Sequence, residues 1–93
     1  MYIVIRSWAN AGELADTMES RKQEVTDLIR GVPGFISYHA VRMGDSLNTV
    51  TVCESQEGTK ESTRLAGEWV RANLPGSSIG APQLAEGEPF MHF

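Results

Sequence analysis

The chain carries a single cysteine, Cys53, and so lacks the second thiol needed to close a disulfide or build a thiolate metal centre. Nothing in its make-up calls for an oxidising compartment, and a cytoplasmic location is the default expectation. Histidine is almost as scarce: His39 and His92 are the only two, at spacings that form no metal motif and give a hydrolytic triad little support. Basic residues number 8 against 12 acidic ones, for a net charge of −4. That balance argues against a surface that tracks phosphates, so nucleic acid is not an expected partner. Long apolar runs are missing too. None approaches the ~20 residues that cross a bilayer, and the first run stops at Arg6 with no basic segment before it, so neither a membrane span nor a signal peptide is expected.

What is present suits one small folded domain covering residues 1–93, with 41% hydrophobic and 22% charged residues. A domain of this size buries only roughly 60 to 65% of its unfolded surface, so its core is thin. Residues 2–8 are rich in β-branched and aromatic side chains and read as a strand. Asn10, with Glu13 three residues on, reads as a helix cap. The helix it opens carries Leu14, Met18, Val25, Leu28 and Ile29 near one face and ends around Arg30, with Gly31 at a left-handed cap and Pro33 beyond.

A second strand over 35–43 and a third over 47–54 are joined by the turn formers Gly44, Asp45 and Ser46. The turn centres on Gly44-Asp45 or on Asp45-Ser46. The choice decides whether His39 shares a face with Val52 or with Cys53. Ser55 is a plausible cap for a second helix with Leu65, Ala66, Trp69, Val70 and Leu74 at helical spacing, stopped by Pro75 and Gly76. Residues 76–82 read as an irregular connection. A last strand is expected over 83–92, and Pro89 suggests an edge, bulge or break within it.

The order strand, helix, strand, strand, helix, strand is the split βαβ pattern of an α+β ferredoxin-like fold with a four-stranded antiparallel sheet. Both helices then lie on one sheet face. The strands carry apolar residues on both alternating sets, so a second copy of the chain is expected to cover the other face, giving a homodimer.

Pro33-Gly34-Phe35 entering a strand that runs through Tyr38 to Arg42, followed by a Val50-Thr51-Val52 strand ending at Glu54-Ser55 before a helix, resembles the dimeric α/β-barrel superfamily of antibiotic biosynthesis monooxygenase-like proteins. The resemblance covers about the whole chain in element order, and its sharpest motif speaks for fold more than for chemistry. It implies paired sheets forming a barrel, with a pocket between sheet and helices in each subunit. Some members oxidise polyketide-like aromatics without metal or flavin, others degrade haem, and many have no assigned activity. By this resemblance Ser62 stands where the pocket tryptophan of the haem degraders falls, and Ala72 where their haem-ligating histidine falls, which argues against haem degradation. Cys53 stands where many relatives have a bulky aromatic, so the pocket has a different shape.

His39 is the best candidate for proton chemistry, because a rigid strand aims it and imidazole titrates near neutrality. The plainer account, a sheet or interface residue, weighs more. Trp69, Trp8 and Tyr38 are candidates to line a pocket for an aromatic ligand, and each is also explained as core. Arg6, inside the first strand, needs an acidic partner or an anionic ligand if buried. Cys53 reads as an inert apolar side chain, and His92 as a frayed tail or edge residue.

Two functions follow. One is a cofactor-independent monooxygenase acting on an aromatic or polyketide-like compound in a pocket near His39 and Trp69, with no metal or organic cofactor. The alternative is a non-catalytic homodimer that binds a small molecule or serves a stress or pathway-accessory role. The RNA-binding use of this strand order needs exposed aromatic and basic residues on the central strands, a signature that residues 48–54 lack.

Overall fold

In a computed structural model describing residues 1–76 and 79–93, four strands and three helices follow one another. They are β1 (Tyr2–Trp8), α1 (Gly12–Ser20), α2 (Lys22–Arg30), β2 (Phe35–Met43), β3 (Ser46–Cys53), α3 (Gln56–Asn73) and β4 (Gln83–Gly87). The sheet order is β2-β3-β1-β4 and every pairing is antiparallel. This is the ferredoxin-like arrangement, with β2 and β4 as edges.

The expected first helix is two helices. Arg21 leaves helical geometry at φ −124° and ψ 38°, and its amide donates to the Met18 carbonyl. Two local causes act together. After Met18 the next positions on the buried face are Arg21 and Lys22, which offer nothing to hold that turn against the sheet. Thr17 and Ser20 hydroxyls also donate back to the carbonyls of Glu13 (2.8 Å) and Thr17 (2.9 Å), competing with the helical ladder.

Four element ends differ from expectation. Asn10 takes the left-handed conformation at φ 51°, so Ala11 is the N-cap, with its amide bonded to the Asp45 carbonyl at 2.7 Å. Ser55 does precede α3 in extended geometry but makes no side-chain cap bond. Gly31 stays right-handed, and the left-handed position falls at Gly34, φ 67°. β4 ends at Gly87, two residues before Pro89, so the last strand is half the expected length. The connection expected over 76–82 contains Ser77 and Ser78, which lie outside the described residues.

The Met43–Ser46 pairing leaves Gly44 and Asp45 as a two-residue turn, with positive φ only at Gly44, the type II′ pattern. The register follows. Val4, Arg6 and Trp8 of β1 share the helix side with Leu47, Thr49, Thr51 and Cys53 of β3. On the opposite side lie Ile3, Ile5, Val50 and Val52, together with His39 and Val41 of β2. An apolar cluster of Trp8, Ala11, Leu14, Ala15 and Leu47 fills one end of the helix side. Beside it runs a buried polar belt of Arg6, Thr49, Thr51, Thr59 and Ser62.

Candidate functional site

Arg6 is placed by strand alternation: it is the third of four β1 residues facing the helices, between Val4 and Trp8. It is 1% exposed. One guanidinium nitrogen, Nη1, donates to Thr51 Oγ1 at 3.1 Å. The other, Nη2, donates to Thr51 Oγ1 at 2.9 Å and to Ser62 Oγ at 2.9 Å. Ser62 in turn donates to the Thr59 carbonyl at 2.7 Å, which locks its hydroxyl to face the arginine. Arg6 Nε has no partner among the described residues. Burial depresses the guanidinium from its ordinary value, yet arginine remains charged in proteins. The acidic partner considered for a buried arginine is not there: among the described residues its bonds go only to hydroxyls.

A cavity of about 410 Å³ opens beside this group, between β1, α3, the start of β4 and the segment before it. Arg6 and Trp8 form its sheet wall, Ala66, Val70 and Arg71 its helix wall, and Leu84 its edge. Gly67, one helical turn before Arg71, presents no side chain to this wall. No His, Asp or Glu lines the cavity among the described residues.

The other expected site residues divide. Tyr38 and Trp69 meet Trp8 around a separate void of about 30 Å³, together with Met18, Val25 and Leu28. That space is too small for a ligand, but Tyr38 also lines a cavity of about 240 Å³ between α1, α2 and the sheet, with Met18, Lys22, Ala40 and Arg42. Trp69 Nε1 donates to Glu24 Oε2 at 2.6 Å, so its single donor ties α3 to α2. Burial pushes the Tyr38 hydroxyl up from the ordinary tyrosine range, while Arg6 and the Thr49 hydroxyl pull the other way. Cys53 is buried and its thiol is pushed up by that burial, with Arg6 opposing. The reactive thiolate form is thereby disfavoured.

His39 is on the other face. It pairs with Val50, is exposed, and shares its side of the sheet with Ile5 and Val52, not with Trp69. The expectation of one pocket near both His39 and Trp69 therefore does not hold within a single chain. His92 lies beyond β4 in the exposed tail. The sequence placed Ser62 at a pocket position only through the resemblance, without its bond to Arg6, and Arg71 was missed. Ser62 had a signal in its helical spacing from Thr59, but Arg71 is indistinguishable from an ordinary solvated residue near a helix end. Among the described residues no group of three or more His, Cys, Asp and Glu is placed to hold a metal ion.

The fold has solved counterparts. Across 99% of its length the chain matches a monooxygenase from the gene ActVA-Orf6 of Streptomyces coelicolor, solved in complex with nanaomycin D. The TM-score is 0.71 at 20% identity, with 89% of that chain covered. SnoaB, a cofactor-independent oxygenase from Streptomyces nogalater, matches over 98% of this chain and 94% of its own at TM-score 0.67 and 13% identity. The haem degrader MhuD from Mycobacterium tuberculosis, solved with two haems bound, matches over 100% and 99% at TM-score 0.68 and 16% identity. No protein-family profile and no curated protein matches the chain. At these identities the shared property is the fold, that of the antibiotic biosynthesis monooxygenase-like proteins.

Proposed function

Starting from a ferredoxin-like fold shared with antibiotic biosynthesis monooxygenases, we propose that the chain is a homodimeric, cofactor-independent oxygenase of an aromatic or polyketide-like small molecule. The observation that carries this reading is the cavity of about 410 Å³ walled by Trp8, Ala66 and Val70. It falls in the range of small-molecule sites, with an apolar lining and a few fixed polar groups. Such a reaction balances without an external reductant: an activated methylene between aromatic rings gains one oxygen atom as a carbonyl, and the second atom leaves as water. The relatives bound to nanaomycin D and haem support flat polycyclic ligands as the size class.

One observation favours a second reading, binding without turnover: among the described residues no imidazole or carboxylate faces the cavity to act as a base. Oxygen-electrode measurements with hydroxylated naphthalenes and anthrones separate the two. Consumption above the uncatalysed rate, one oxygen per product, is the expected result. Tight binding of the same compounds with no consumption would leave the binding reading.

The homodimer is supported by the helix-free side of the sheet, where Ile5 and Val41 are each 40% exposed and Val50 lies between them. Contiguous apolar sheet surface of this kind marks an interface. Light scattering is expected to give twice the chain mass, and Val50→Asp to give a folded or partly folded monomer, because a carboxylate buried against a second apolar sheet has no partner. A wild-type monomer at micromolar concentration would remove the dimer from the proposal.

A further inference from the structure

The cavity under α3 has a charge opposite to that of the chain around it. The sequence holds 12 acidic residues against 8 basic and a net charge of −4. Even so, the cavity wall contains Arg6 and Arg71 and, among the described residues, no carboxylate. Arg21, Arg42 and Arg64 each pair with an acidic side chain. Arg6 and Arg71 pair with none among the described residues. A buried guanidinium held by two neutral hydroxyls, with Nε left over, is an unfinished site: the desolvation has been met, and the counter-charge that would offset it is missing.

We infer that the cavity receives an aromatic oxyanion, a carboxylate or a phenolate on a flat apolar body, with the charged oxygen at Arg6 and Arg71 and the rings against Trp8 and Val70. The inference rests on the small-molecule reading above and adds to it the charge of the ligand. Guanidinium is suited to the task, since its planar fork matches an oxyanion and its charge does not titrate away. Beside the apolar wall of Trp8, Ala66 and Val70 the two arginines favour the ionised form of a bound phenol, just as an adjacent cation lowers the pKa of a protein acid. The proton leaves to solvent through the open mouth. A facing base is then unnecessary, which accounts for a cavity without imidazole or carboxylate among the described residues.

The test is calorimetric titration of the whole chain with naphthoate, naphthol and the neutral naphthamide. Naphthoate is expected to bind about tenfold or more tighter than naphthamide, and Arg6→Met to reduce that ratio to about threefold, the share left to Arg71, while Arg6→Lys keeps more of it. Arg71→Gln is expected to lower the ratio by about threefold, as for a more exposed charge. Absorbance of bound naphthol separates the two oxyanions: phenolate appearing below its free-solution midpoint assigns the phenolate, and its absence alongside naphthoate selectivity assigns the carboxylate. Circular dichroism of each variant checks folding, and should Arg6→Met fail to fold, Arg6→Lys and Arg71→Gln carry the comparison. Equal binding of naphthoate and naphthamide to the wild type would overturn the inference and leave the small-molecule reading standing. Binding of none of the three would overturn both.

Discussion

Gly58→Ala is expected to lower the thermal midpoint of the protein by tens of degrees or to abolish folding. A Cβ at this position would sit 2.1 Å from the Pro33 carbonyl oxygen, 2.8 Å from Cys53 Sγ and 2.9 Å from Cys53 Cβ. Two of those neighbours cannot yield cheaply. The Pro33 carbonyl is backbone in a short segment whose Gly34 carbonyl accepts the Glu54 amide at 2.8 Å, and Cys53 is fully buried at the end of β3. Relief requires lifting the first turn of α3 off the sheet, which would uncover Thr59 and Ser62. Overpacking against flexible side chains costs ~1 to 3 kcal/mol. Against backbone the cost is at least the upper end, and about 3 kcal/mol corresponds to roughly 12 to 24 °C in a domain of this size.

Gly76→Ala and Gly12→Ala serve as controls. Gly76 has φ 77° with open space around its Cβ position, and Gly12 has open space without a left-handed backbone. The first should cost ~1 to 2 kcal/mol for conformation alone, and the second about nothing or less. A Gly58→Ala protein that melts within a few degrees of wild type would refute the close-approach argument.

Arg6→Met is expected to have the opposite sign and to raise the melting temperature. The substitution removes a buried cation that lacks a carboxylate among the described residues, and fills the space with an unbranched apolar chain. Replacing buried ionic groups by apolar ones of similar volume is commonly neutral or stabilising by ~1 to 4 kcal/mol. Against this stands the loss of the donors to Thr51 and Ser62. Ser62 still donates to the Thr59 carbonyl, but the buried Thr51 hydroxyl loses both of its bonds to Arg6, a cost of ~1 to 3 kcal/mol. The balance is a gain of about 1 kcal/mol, or roughly 4 to 8 °C. Arg6→Ala leaves a hole and should instead destabilise. If Arg6→Met melts as low as Arg6→Ala, the guanidinium is a structural keystone. If it melts higher, the native chain holds a charge at a cost to its own stability, as binding sites commonly do.

The order of elements was legible because each boundary is punctuated: Gly44-Asp45 between two alternating runs, Pro75-Gly76 after the amphipathic stretch, Pro89 just past β4. Which face a residue takes was less so. His39 needed the register, and the register needed the turn, whose two alternatives differ by one residue and swap every side chain between faces. The sequence carried the burial of Arg6 only as a condition, and its partners were not legible, since Ser62 is 56 positions away and reaches it only once α3 crosses the sheet. The break at Arg21 was hidden because Leu14 to Ile29 satisfy a continuous helical period. The interruption lies in what is absent from that stripe between Met18 and Val25.

That break has a mechanical consequence. An unbroken rod over residues 12–30 would run ~28 Å in a straight line, while neighbouring strands turn from one another by roughly 20 to 25°. Split in two, the segment packs α1 against β3 and α2 against β2. The joint is also fastened: Arg21 Nη1 donates to Asn73 Oδ1, and Trp69 reaches Glu24 just beyond. The last turns of α3, which carry Arg71 of the cavity wall, are therefore tied to the joint between α1 and α2. A tilt of α2 about Arg21 is expected to move Arg71 with it, so the joint between the two roof helices bears on the helix wall of the cavity.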